Sequence, residues 1–169
     1  MIASHPRFQE PQTVRVPVRY CDATPGTTPP PLPPTNIAYT PPQDVNHMHA
    51  LQGAGVVTVA HRHATPTECG NAANRDLFTV MLTKVGQGFH PMPMDGGGWQ
   101  FVLARRQFVK IEGVTYDDPD SPRIAHVQYV WTWMPTLLGQ LMQIGTVPQG
   151  ASATFLRNGN GWIVRQPGM

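Results

Sequence analysis

The chain has 169 residues, enough for one domain with a hydrophobic core and too few for two ordinary ones. Its 19 Pro and 16 Gly make up about one residue in five, while only 13% of residues are charged against a usual share near 25%. Helical bundles and coiled coils are therefore disfavoured, and a 40% hydrophobic content points to a strand-and-turn protein rather than a disordered one.

Twelve basic against ten acidic residues leave a net charge of +2, too small a surplus for the many phosphate contacts of a nucleic-acid binder. No run of about 18 apolar residues occurs, so no transmembrane helix is expected. The first twenty residues lack a basic start, an apolar stretch and a small-residue cleavage site, so no secretory signal is read there.

Thr13 to Cys21 alternates, with Val14, Val16, Val18 and Tyr20 on one face, and reads as one strand that Pro17 assigns to a sheet edge. From Thr24 to Gln43 the sequence TPGTTPPPLPPTNIAYTPPQ favours extended polyproline II geometry, a semi-rigid strap rather than part of a packed sheet. Pro29, Pro30, Pro31, Pro33, Pro34 and Tyr39 are its candidate partner-binding residues. Residues 1–43 thus form an edge strand and a Pro-rich N-terminal arm, and 44–169 a single β-rich domain.

Asp44 reads as the N-cap of a short helix over 45–52, stopped by Gly53 and Gly55. Strands follow at 56–63 and 77–85, separated by a turn-rich loop that carries Cys69. After a long loop at 87–98 comes the strongest strand, 99–112. There Phe101, Leu103, Val109 and Ile111 share a parity that Arg105 and Gln107 interrupt, as at a bulge or a partly polar face. The strand at 123–134 places Ala125, Val127, Tyr129, Trp131 and Trp133 on one side. Residues 136–145 form a short helix or an edge turn. Two strands, 151–157 and 162–166, then flank Asn158-Gly159-Asn160-Gly161, a hairpin signal because Asn and Gly tolerate positive φ. The expected fold is α+β: a curved, mainly antiparallel sheet with one or two short helices and the extended arm.

Cys21 and Cys69 are the only cysteines and fit either a disulfide or two unrelated buried thiols. His61 and His63, if in a strand, share one face about 7 Å apart, a spacing that suits Zn or Cu, with Glu68 and Cys69 available to complete a site. A Cys69 thiol beside either imidazole is a further arrangement to consider. No HExxH, CxxC, GxSxG or phosphate-loop pattern is present, so the chain reads as non-enzymatic and no cofactor is required. Tyr129, Trp131 and Trp133 are core residues if a helix fills the concave face, and line a ligand pocket if it does not.

From residue 44 onward the chain resembles a group of small bacterial envelope proteins, periplasmic or lipoprotein-like, whose activity is uncharacterised. The resemblance rests on the helix-ending phrase His49–Val57, on Leu82-Thr83-Lys84-Val85-Gly86, on Ala104-Arg105-Arg106 and on the closing hairpin Ala151–Val164. It spans about 120 residues and implies a periplasmic, envelope or extracellular location, with the cytoplasm as the alternative; it carries over no catalytic residue. Together these features lead to the expectation of a protein-binding or assembly module, oligomeric or part of a larger particle, working through its arm and sheet edges. The alternative is a metal- or small-ligand-binding protein using His61, His63 and the aromatic face.

Overall fold

The computed structural model describes residues 2–21, 38–39, 42–65, 68–69 and 76–167, and the candidate arm residues Pro29, Pro30, Pro31, Pro33 and Pro34 lie outside them. It is mostly antiparallel strand with few short helices, an α+β chain with a strongly curled sheet. In chain order the elements are α1 (Pro6–Gln9), β1 (Gln12–Pro17), β2 (Arg19–Cys21), β3 (Ala38–Tyr39), α2 (Pro42–Gly53), β4 (Val57–His63) and β5 (Asp76–Leu82). There follow α3 (Lys84–Gln87), β6 (Met92–Pro93), β7 (Gly98–Tyr116), β8 (Ile124–Pro135), α4 (Leu137–Leu141), β9 (Gln149–Asn158) and β10 (Gly161–Pro167).

Several elements differ from the sequence expectation for identifiable reasons. The strand expected over 13–21 is broken after Pro17, and its two pieces, β1 and β2, belong to different sheets. Pro17 donates no ladder hydrogen bond, which favours a break there, and the next residue, Val18, gives its carbonyl to the N–H of Val80. Ala38 and Tyr39, expected in the strap, pair in parallel with Tyr20 and Cys21. Helix α2 opens at Pro42, two residues before Asp44, because proline's fixed φ and missing N–H suit a first helical turn. It ends where Gly55 takes the left-handed φ of +69°. The strand expected through Val85 stops at Leu82, since Thr83 caps α3 by accepting from the N–H of Gly86. Residues 137–141 are helical, capped in the same way by Thr136.

The chain divides into two compact units, Thr13–Val102 and Met1–Gln12 with Leu103–Met169. In the first, the sheet order is β3-β2-β5-β4, with β4 and β5 antiparallel from Val57↔Leu82 to His63↔Asp76. β1 lies against the start of β7: Gln100 Nε2 donates to Thr13 Oγ1 at 3.0 Å, and Gly98, at φ +117°, meets the Val16 carbonyl where no Cβ would fit. Val16, Leu51, Val56, Val57, Leu77, Val80 and Phe101 are buried in this unit.

In the second unit β8 pairs antiparallel with β7 and β9, and β10 pairs with β9 as the edge strand. Along β7 the register with β8 skips Val109 and Glu112, two bulges that bend the strand and increase its twist. Asn158 Oδ1 accepts from the N–H of Asn160 in the β9–β10 turn, where Gly161 takes φ +113°.

Candidate functional site

The register sets which side chains share the inner face of the second unit's sheet. β8 supplies Ala125, Val127, Tyr129, Trp131 and Trp133. Opposite them β7 supplies Tyr116, Val114, Ile111, Phe108 and Arg106, and β9 supplies Phe155, Ala153 and Ala151. Trp162 and Val164 of β10 pack against the same cluster. The curl brings Tyr116 of β7 within 6.0 Å, ring to ring, of Trp162 of β10, although two strands separate them in the sheet.

This face is partly covered by the chain's own N-terminal segment. Ile2 and Phe8 are buried against Ala125, Val127, Tyr129, Trp131, Ala153 and Phe155, and the Phe8 ring sits 6.3 Å from that of Tyr129. The one-turn helix α1, which no sequence signal announced, therefore acts as the filler over this part of the sheet. Tyr129 is fully buried, and that burial pushes its phenol above the usual pKa against the opposing pull of the Arg106 cation.

Arg106 anchors this cover. Its Nη1 donates to the carbonyls of Arg7 at 2.7 Å and Glu10 at 3.3 Å. Its guanidinium lies 5.1 Å from the Trp131 ring centroid and 4.9 Å from that of Trp133, and the two indoles meet edge to face at 5.0 Å. Of the pocket candidates, Tyr129 and Trp131 are thus core residues, while Trp133 is half-buried beside Arg106. Beyond the cover, Ile111, Val114 and Tyr116 remain about half exposed on the inner face.

His61 and His63 both lie on β4, as the alternation predicted, but each is engaged by β5. The His61 ring stacks on Phe78 at 5.8 Å, continuing the Tyr20–Phe78 stack, and His63 Nδ1 lies 2.8 Å from Asp76 Oδ1. The expectation that Glu68 and Cys69 could complete a metal site is corrected. Cys69 is bonded to Cys21 in a disulfide, which also removes the thiol–imidazole pairing. Glu68 is held by Arg62 and by the N–H and hydroxyl of Thr65. Among the described residues no group of three or more His, Cys, Asp and Glu is placed to hold a metal ion.

The Arg62 guanidinium, followed by the Thr65 N–H and hydroxyl, lowers the Glu68 carboxyl to about 2. A depressed carboxylate stabilises the fold fully above its unfolded value near 4.3, and the contribution is lost as pH falls through about 2. A carboxyl-carbon NMR titration should therefore place the Glu68 midpoint well below that of an exposed glutamate, and in Arg62→Gln the midpoint should return towards 4.3. A midpoint unchanged by the substitution would refute the assignment.

The sequence places Arg106 only in the Ala104-Arg105-Arg106 phrase and gives it no role in a site. Its neighbour Arg105 interrupts the apolar parity of β7, but the bulge after Phe108 shifts that parity and puts Arg106 on the aromatic face. No protein-family model, curated protein or solved structure matches the chain.

Proposed function

We propose that the chain is a non-catalytic protein-binding or assembly module, exported or displayed on a particle surface, that engages its partner through sheet edges and the Pro-rich segment. The observation that carries this reading is the pair of edges in the second unit. β10 is the last strand of its sheet, and the outer edge of β7 beyond its first residues has no partner strand among the described residues. Apolar side chains accompany both: Val109, Ile111, Val114 and Tyr116 on β7, and Ile163 on β10, are about half exposed. A strand edge with apolar neighbours is the surface an extended partner segment recognises, main-chain hydrogen bonds giving affinity and side chains specificity. Lys110, Glu112 and the two bulges blunt indiscriminate pairing. The disulfide is compatible with an oxidising compartment, in keeping with the resemblance to envelope proteins.

The test is photo-crosslinking in the native host from single positions. A photoreactive residue at Tyr116 or Ile163 should give one discrete protein adduct, and one at His126, on the interior strand β8 away from both edges, should not. Replacing Pro29–Pro34 by Gly and Ser should weaken the adduct without altering the near-ultraviolet circular dichroism of the chain. Equal adducts from all three positions, or none, would sink the reading. The replacement spares residues 2–21, which carry the buried Phe8, Val14, Val16 and Cys21.

A further inference from the structure

We propose that Arg106 receives a carboxylate, and that the aromatic face beside it seats the apolar body of a small organic acid. This goes beyond the edge-binding reading, because it concerns the inner face of the sheet and a ligand of another class.

Arg106 is a cation without a described anionic partner. The Arg106 side chain is half-buried, with its Nε closed off from solvent, so the cation has lost part of its hydration. A cation that has lost part of its hydration is normally paired with an anion. No described carboxylate forms an ion pair with Arg106. Its partners are the neutral carbonyls of Arg7 and Glu10 and the faces of two indoles.

The unused part of the group has a defined shape. Nη1 is occupied by the two carbonyls, and Trp131 and Trp133 lie within stacking distance of the guanidinium. What remains is the edge formed by Nε and Nη2. Nε is buried with no acceptor, and no described group accepts from Nη2. That edge presents two parallel N–H bonds at the spacing of the two oxygens of a carboxylate, the arrangement that gives Arg its bidentate preference.

The neighbourhood specifies the rest of the ligand. Phe108 and Trp133 are partly exposed on the same face, next to Arg106 and directly across from it in the register. Ile111 continues the apolar surface along β7 and is 54% exposed. A flat or aliphatic body of a few carbons would bury this surface, whereas a bare anion would leave it open. Nε is shielded from solvent, so uptake of the second oxygen requires a local rearrangement around Arg106, whose Nη1 holds the carbonyls of Arg7 and Glu10.

The experiment is a ¹H–¹⁵N NMR titration of the full chain, following the Arg106 Nε–H, the Trp131 and Trp133 indole N–H and the amides of residues 7–10. Phenylacetate is the probe, phenylacetamide its uncharged isostere, and acetate the carboxylate without a body. Phenylacetate should shift all of these signals saturably. The amide and acetate should each bind about tenfold more weakly or worse, the loss expected when a charge-assisted hydrogen bond or a buried ring is removed. Arg106→Lys keeps the charge but not the fork and should lose a similar factor. Equal binding of acid and amide, or no saturable shift, overturns the proposal and leaves Arg106 as a strap for the N-terminal segment. If the Lys variant fails to fold, the acid–amide comparison on the natural chain still decides. Crosslinking from Tyr116 and Ile163 reports separately on edge binding, so the two readings fail independently.

Discussion

Replacing Cys21 and Cys69 together by alanine should lower the stability of the unit over residues 13–102 by about 4 kcal/mol. The disulfide joins residues 48 apart in sequence, and closing a loop of that length removes this much conformational freedom from the unfolded chain in the chain-entropy account. Among the described residues, both half-cystines are buried with Leu77 in a small cluster that Ala64 supplements. So small a cluster cannot make up the loss by packing, and alanine keeps the site apolar, so the measured change reports the cross-link. Urea unfolding of the natural chain with and without reductant, beside the double variant, reads the effect directly. A loss below about 1 kcal/mol would mean that the unfolded chain already holds the two segments together.

Phe8→Ala should cost the other unit about 3–5 kcal/mol, the usual range for removing a buried ring from a core. Phe8 is 2% exposed and lies over Tyr129, which is itself fully buried. The substitution opens a void against Tyr129 and Trp131 while leaving in place the carbonyls that Arg106 grips. Tryptophan emission should therefore move to longer wavelength, and the amides of residues 5–10 should exchange faster. A variant as stable as the natural chain would show that α1 merely rests on the sheet.

What could be read from the sequence was local. Strict alternation in β8 placed Ala125, Val127, Tyr129, Trp131 and Trp133 on one face because period-two patterning survives wherever a strand is regular. The Asn-Gly-Asn-Gly turn was legible because few residues accept positive φ. What was missed depends on partners far away in sequence or on a change of register. Helix α1 is a single turn whose stability comes from Phe8 reaching strands more than a hundred residues later. The setting of Arg106 required the bulge after Phe108 and the pairing with Trp133. For His61 and His63 the shared strand was legible, but the Phe78 ring and Asp76 carboxylate that engage them come from β5. The pairing of Cys21 with Cys69 likewise stayed open until β2 and the loop after β4 were placed together.

The core over β8 draws on distant stretches of the chain, Ile2 and Phe8 from residues 2–8 and β7 to β10 from residues 98–167. A ribosome delivers those pieces at different times. Residues 13–102 emerge as a continuous stretch and have their strands and both cysteines available early, whereas the N-terminal anchor waits until β8 and β9 have left the exit tunnel. The β8–β9–β10 meander is built from near neighbours and closes quickly, so seating of residues 2–10 is the long-range step in folding this unit.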